Sequence, residues 1–499
     1  MSELPSALVS FGRGEDIWSI IKEALQAVDP VEAVRRSVHL DGDVLRVGGR
    51  SYDLTSFDRI FVVGGGKAGA PMAAAVEQIL GSRVTAGYVN VKYDHLLPPD
   101  EMPKRIVINE AGHPTPDDNG CKGVEKMFGL LTDLTERDLV ICVISGGGSA
   151  LMVMPQEGIT MDDMQQLTRS LLHCGATINE MNAVRKHLSA LKGGQLARRA
   201  APAQVISLIL SDVVGNPLDV IASGPTSPDT RTFAEACRVL QDGGVWDEVA
   251  PTIRARLEGG LAGDISENPK EDDTLFERVN NVIVASNDVA ALAAVRKAET
   301  LGFNTLLLST YVEGEAREVA KVFAGLAKEL VRYDRPLARP ACLIAGGETT
   351  VHIQGCGKGG RNQEMALASA IALDGWPDAM VVCLATDGTD GPTDAAGALA
   401  TGRTVAEGLD KGLDAGGFLA DNDSYHFFEA IGGLLLTGPT NTNVNDLILV
   451  FYLLVAVLYV GEPCEGFSFV IGVEILVTFY SIPESRMEAF ARVGRLNWI

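Results

Sequence analysis

The sequence predicts an α/β protein made of two α/β domains, the first Rossmann-like with a mainly parallel sheet. Three observations carry that expectation. Short apolar, partly β-branched runs alternate with stretches of helical period along most of the chain. Two of those runs break directly into glycine clusters, FVVGGGKAGA at 61–70 and DLVICVISGGGSA at 138–150, as strands do when they feed a tight turn into a helix. The chain has 499 residues, 46% of them hydrophobic and 54 of them glycine, which is length and composition for two or three globular, turn-rich domains.

Residues 15–28 and 31–38 have helical period and serve packing. Residues 60–63 read as a buried parallel strand and 71–80 as a helix, so Gly64, Gly65, Gly66 and Gly69 form the turn between them, with Lys67 inside it. Backbone N–H groups at such a turn meet an anion at the positive end of a helix; the alternative is a tight structural turn with a solvated lysine. Strands follow at 84–91 and 106–109, then a loop in which His113 lies between Gly112 and Pro114. That histidine either contacts substrate or bonds the local backbone.

The second glycine cluster repeats the first: an apolar strand, then Ser145, Gly146, Gly147, Gly148 and Ser149. Two such units predict loops opening on one crevice at the carboxyl ends of parallel strands. Residues 175–194 carry Asn182, Arg185, Lys186 and Lys192 on a predicted helix, with Arg185 or Lys186 as an anion contact or as solvated, salt-bridged surface. The strand at 205–210 delivers Asp212, a candidate metal ligand or proton acceptor, or else a helix cap. A polar, locally helical stretch at 231–273 predicts a junction, giving domains 1–275 and 276–450.

The second series predicts strands at 282–285, 305–309 and 341–345, helices at 288–301 and 315–333, and a loop GCGKGGRNQE before a helix at 365–373. Lys358 and Arg361 at a helix start oppose its dipole, which calls for a bound negative group. A strand at 380–384 runs into Asp387, Asp390 and Asp394 among glycines and threonines. One aspartate there is ordinary turn chemistry, but the cluster offers hard oxygen ligands for Mg²⁺.

A net charge of −23 argues against nucleic acid as a partner. The eight cysteines form no CxxC pair, the seven histidines no metal spacing, and no secretory signal opens the chain, so cytosol is the expected compartment.

The motifs GGGKAGA, SGGGSALM, LSDVVGNPLDVIASGPT, GGETTV, GKGGRNQE, ATDGTDGPTDAAGA and GPTNTNVND together resemble the glycerate 2-kinase, or MOFRL, family over about residues 18–449. The resemblance implies ATP-dependent phosphorylation of D-glycerate on its 2-hydroxyl, with Mg²⁺, in a cleft between two α/β domains. It also implies that the family's two essential basic residues fall on Lys67 and Arg361. Family members are often labelled hydroxypyruvate reductases, and Gly64, Gly66 and Gly69 do satisfy the dinucleotide fingerprint. The following strand, however, ends in Lys92 and Tyr93, with Asp94 only just beyond, rather than in the acid that fingerprint requires. A Walker A loop is absent as well, since no Ser or Thr follows Lys67 or Lys358.

The expected mechanism has loops 64–69 and 145–149 holding nucleotide phosphates and Lys67 neutralising the transferring group. Arg361 bridges the γ-phosphate and the substrate carboxylate, while Asp212 and Asp387 bind metal or accept the hydroxyl proton. A homodimer is compatible with the sequence, and no membrane partner is expected. Residues 451–499 depart from the family as an apolar extension, expected as two strands or a sticky tail, because its runs are too short and broken to span a bilayer. Three functions remain: glycerate kinase, NAD(P)H-dependent reductase and non-catalytic nucleotide-binding protein.

Overall fold

The computed structural model describes residue 4, residues 6–9 and residues 13–453. The chain enters through helices Gly14–Ala27 and Pro30–Ser37 and a small antiparallel sheet of β1 (Val38–Asp41), β2 (Val44–Val47) and β3 (Arg50–Asp53). It then builds a six-stranded sheet from β4 (Arg59–Gly65), β5 (Ala86–Lys92), β6 (Ile106–Ala111), β7 (Asp138–Ile144), β8 (Gln204–Leu210) and β9 (Val279–Ala285). All five pairings are parallel, in the order β6-β5-β4-β7-β8-β9. β7 and β12 (Ala379–Ala385) are buried along their whole length, the mark of a strand covered on both faces.

That order is the doubly wound one. The chain steps outward from β4 to β6, returns to the centre for β7, and steps outward the other way. Gly65, the last residue of β4, pairs with Ile144, the last of β7. The two glycine loops therefore leave the sheet side by side at the point where the winding reverses, where α/β sheets hold ligands.

The second sheet contains β10 (Asn304–Glu315), β11 (Ala341–Thr350), β12, β13 (Gly397–Thr401), β14 (Leu434–Leu435) and β15 (Asp446–Tyr452). Its order is β10-β11-β15-β12-β13-β14, and only β10 and β11 are parallel. β15, last among the described strands, lies between β11 and β12 and antiparallel to both, so Asp446 pairs with Gly347 on one side and Ala385 on the other.

Several expectations need correction. The boundary at 275/276 is displaced, because β9 completes the first sheet; the polar stretch before it is an excursion whose helices Phe233–Asp242 and Pro251–Ala262 pack with Met161–His173 and Ile178–His187 around their own core. Composition made that excursion resemble a linker. The opening helix Gly14–Ala27 packs on Asn287–Thr300, and one apolar core runs from Ile17 and Trp18 through Val62 to Leu447 and Phe451. Both sheets thus share a core instead of meeting across a linker. Residues 346–350 continue β11 as strand, and the helix expected from 365 begins at Arg361. Most of the apolar extension assigned to 451–499 lies outside the described residues; Phe451 and Tyr452 close β15. Among the described residues, no helix is long and apolar enough to cross a membrane.

Candidate active site

The two glycine loops lock onto each other. In the first, the Gly66 amide donates to Asn90 O (3.0 Å), Lys67 to Gly146 O (2.8 Å), Ala68 to Ser145 Oγ (3.0 Å) and Gly69 to Gly66 O (3.0 Å). Those amides are consumed, so the first loop is not the open phosphate cradle that its glycines predict. The glycines serve close approach instead: Gly66 has φ +143°, and a Cβ there would stand 2.1 Å from Ser145 Oγ. In the second loop, the amides of Gly146, Gly147 and Ser149 donate to nothing among the described residues. Those are the donors left for an anion.

The second loop gathers the chemistry around it. A Cβ on Gly146 would be 2.3 Å from Asp212 Oδ2, so only glycine lets that carboxylate lie against the turn. A Cβ on Gly147 would sit 3.0 Å from the His113 ring and 3.4 Å from Lys67 Cγ. Lys67 has no carboxylate or hydrogen-bond partner for its ammonium among the described residues. Asp212 is half-buried, and desolvation, opposed by the Lys67 charge, lifts its pKa to about 6; the negative charge of Glu348 in β11 pushes the same way as burial. Burial and the neighbouring Lys67, Lys92 and His95 press His113 down to about 4, so its imidazole is neutral at pH 7. It lies against Gly147, near enough to Lys67 to feel its charge.

Arg361 is arranged differently. Its Nε and Nη2 donate to the two Asp446 oxygens at 2.6 and 3.0 Å, and Nη1 donates to Glu348 at 2.7 Å. Burial works against the guanidinium charge, but the Asp446 bonds and the negative charges of Asp446, Glu348 and Asp390 outweigh it and hold Arg361 firmly protonated. Burial lifts Asp446 to about 6 despite Arg361, so the pair is ionic at neutral pH. The helix start that seemed to need a ligand already has its negative groups: the Asp390 carboxylate accepts from the amides of Asn362 (3.1 Å) and Gln363 (2.8 Å). The expectation that Arg361 offers a free planar fork to substrate is therefore corrected, since one hydrogen on each terminal nitrogen is all that remains. Lys358 is also engaged, with its ammonium 3.8 Å above the Tyr425 ring.

The aspartate cluster disperses into separate structural duties. Asp387 Oδ1 accepts from the amide (3.1 Å) and hydroxyl (3.3 Å) of Thr389 in an Asx turn, Asp390 caps the Arg361 helix, and Asp394 accepts from Tyr425 OH at 2.7 Å. Among the described residues, no group of three His, Cys, Asp or Glu side chains gathers to hold an ion. Lys186, expected as an anion contact or as solvated or salt-bridged surface, is salt-bridged but buried rather than at the surface, between Asp219 (3.3 Å) and Asp229 (3.2 Å).

A chain of charges links the two expected cations. Lys67 acts on Asp212, Asp212 feels Glu348, and Glu348 holds Arg361. The motifs GGETTV and NTNVND mark the positions of Glu348 and Asp446, but only the fold brings both carboxylates to Arg361.

Comparison with known proteins finds a domain of unknown function (DUF4147) matched over residues 16–258 and the MOFRL family over residues 341–446. The chain is 40% identical to the glycerate 2-kinase of Pyrococcus horikoshii, over 86% of this chain and 95% of that protein. It is 41% identical to the D-glycerate 2-kinase of Thermotoga maritima, over 86% of this chain and 96% of that protein. The crystal structure of the Thermotoga maritima glycerate kinase superposes with a TM-score of 0.79 at 40% identity, covering 88% of this chain and 99% of that one. An Agrobacterium vitis protein named a putative hydroxypyruvate reductase is 43% identical over 78% of this chain and 86% of its own length.

Proposed function

The chain belongs to the glycerate kinase family of DUF4147 and MOFRL domains, and we infer from that premise that it is a D-glycerate 2-kinase, moving the terminal phosphoryl group of ATP onto the 2-hydroxyl of D-glycerate. The observation that carries the mechanism is the Lys67 ammonium, unpaired among the described residues, beside Asp212, both set against the second glycine loop at the reversal of the sheet. Phosphoryl transfer asks for donors that hold phosphates, a mobile positive charge and a proton acceptor, with little covalent chemistry.

The open amides of Gly146, Gly147 and Ser149 hold phosphate oxygens, while Gly64, Gly65 and Gly66 fix the first loop against Ser145 so that Lys67 projects from a rigid turn. Lys67 neutralises the charge that spreads over the transferring group. Asp212, ionised above about pH 6, accepts the proton of the 2-hydroxyl as its oxygen bonds to phosphorus and the bond to ADP breaks. Arg361 acts through its carboxylates: by holding Glu348 and Asp446 it fixes negative charge opposite Asp212.

Mg²⁺ in kinases is held by one or two carboxylates and by the phosphates themselves. Asp212, whose side chain has no hydrogen-bond donor from another of the described residues, fits that demand, with Glu348 close enough to raise its pKa. Asp387 fits less well, having Oδ1 tied to Thr389. Bound there, the cation would supply further neutralisation of the phosphates.

The reductase reading is disfavoured by two features. The first loop's amides are consumed by protein partners, and β5 ends in Lys92 where a nicotinamide dinucleotide's ribose would need an acid. Incubating the protein with ATP, Mg²⁺ and D-glycerate should release ADP and yield a product that enolase converts directly to phosphoenolpyruvate, with no NADH or NADPH oxidised in the presence of hydroxypyruvate. Nicotinamide oxidation without ADP release would replace this function with the reductase; stabilisation by ATP without either turnover would leave a nucleotide-binding protein.

A further inference from the structure

Helix Ile178–His187 is started by a capping box, in which Thr177 Oγ1 accepts from the Glu180 amide while the Glu180 carboxylate accepts from Thr177. That start fixes the direction in which Asn182, Arg185 and Lys186 point. Lys186 is matched by two carboxylates, but Arg185 and Lys192 are not. Lys192 is 6% exposed, and its ammonium donates only to Ser149 O, at 2.5 Å. Arg185, half-buried, makes one bond, Nη2 to Thr168 Oγ1 at 3.2 Å. Neither has an ion-pair partner among the described residues. Burial, and then the Arg185 charge, depress Lys192 to about 7.

A half-buried guanidinium beside a buried ammonium, with no counter-ion among the described residues, is costly unless the lysine sheds its proton or something negative joins them. Polar groups are ready at the same place. Asn182, 6% exposed, accepts from Ser223 Oγ at 3.3 Å, and its amide nitrogen donates to nothing among the described residues. Ser149 Oγ lies 2.8 Å from Ser223 Oγ, and the chain holds Ala222 and Ser223 at φ 50° and 61° to keep that hydroxyl there. Of the negative charges that the reaction brings, the phosphates belong to Lys67 at Gly147. The acid's carboxylate has lost its expected partner, because Arg361 grips Asp446 and Glu348.

We propose that Arg185 and Lys192, with the Asn182 amide and the Ser149 hydroxyl, form the subsite for the carboxylate of the hydroxy-acid substrate, beside the loop whose backbone amides and Lys67 meet the phosphates. A carboxylate is planar and accepts from a guanidinium, an ammonium and an amide together. The assignment rests on the kinase reading, and its test separates the two.

Initial rates are measured for wild type, Arg185→Gln, Lys192→Met and Lys192→Arg, with ATP, D-glycerate and neutral glycerol as the varied substrates. Removing one charge-assisted bond should lower kcat/KM for D-glycerate by about 10- to 100-fold, leave the KM for ATP unchanged, and shrink the preference for glycerate over glycerol by the same factor. Lys192→Arg should recover part of the loss. The preference ratio is read within each variant, so a fall in folded fraction does not imitate it. A rise in the KM for ATP with an unaltered glycerate preference overturns the proposal and makes the pocket a phosphate site. Should the wild type turn over nothing, the kinase reading fails instead; thermal stabilisation by D-glycerate alone, lost in Arg185→Gln, still supports the subsite, and its persistence in that variant overturns it.

Discussion

Two glycine-rich loops carry a basic residue at the start of a helix, one in each half of the molecule, and they treat that residue oppositely. Lys67 follows β4 and has no partner of its own among the described residues, while the amides around it are bonded to the neighbouring loop. Arg361 opens its helix already clasped by Asp446 and Glu348, with Asp390 capping the amides beside it. The same residue types in the same local pattern thus give an outward-facing charge in one place and an internal ion network in the other. An unpaired cation is available to a ligand; a paired one is first of all part of the fold, and acts on substrate through the carboxylates that it positions.

The contrast breaks first at Arg361. Arg361→Ala leaves Asp446 buried, 4% exposed and unpaired, which should destabilise the protein by about 3–5 kcal/mol and abolish turnover, whereas Arg361→Lys, lacking the fork, should recover little of either. Denaturant melts of the three proteins decide this; an unchanged midpoint for Arg361→Ala would mean that the network contributes nothing to the fold. Lys67→Ala should show the reverse signature, with turnover down by about 10²–10³-fold and the melting temperature unaltered, since no contact of the ammonium is lost. A large drop in its melting temperature would erase the distinction between the loops.

Asp212 sharpens the comparison through pH. Its folded pKa, about 6, lies above that of the unfolded chain, so the folded protein binds the extra proton between those values and the buried carboxylate costs stability above about pH 6, a cost that fades as pH falls through 6 toward 4. Asp212→Asn should therefore melt higher than wild type at pH 8, by roughly 1–2 kcal/mol, with the gap closing at pH 4. Turnover should move the other way: wild-type activity should fall as pH drops below about 6, and the variant should be slow at every pH. A variant no more stable than wild type at pH 8 would show that the carboxylate is well solvated. The smallest effect belongs to Ser145→Ala, which removes the hydroxyl accepting from Ala68 and should lower stability by about 1 kcal/mol while raising the KM for ATP; an unchanged KM would uncouple the locking of the loops from phosphate binding.

Much of this arrangement was legible in the sequence because it is local. The strands at 60–63, 106–109 and 205–210, the helix at 315–333 and both glycine turns follow from apolar runs, helical period and glycines after strands, and the structure has each of them. Glycine at 66 and 146 is required for a reason that the sequence does not contain, the approach of Ser145 and Asp212 from other strands. The aspartates at 387, 390 and 394 looked like one ligand cluster because they are close in sequence, yet their partners are Thr389, the Arg361 helix and Tyr425. Lys186 and Lys192 look alike in sequence, and only one meets carboxylates.

The sequence by itself determined the family, the alternation of strand and helix, and the presence of Lys67 and Arg361 in glycine turns, since periodicity and turn chemistry are written within a few residues. The tertiary structure decided which charges are free. Whether a cation is a ligand site or an internal ion pair depends on a carboxylate arriving from a distant strand, as Asp446 arrives on Arg361 because β15 inserts between β11 and β12. Electrostatic energy falls with separation in space and not along the chain, so that choice belongs to the fold.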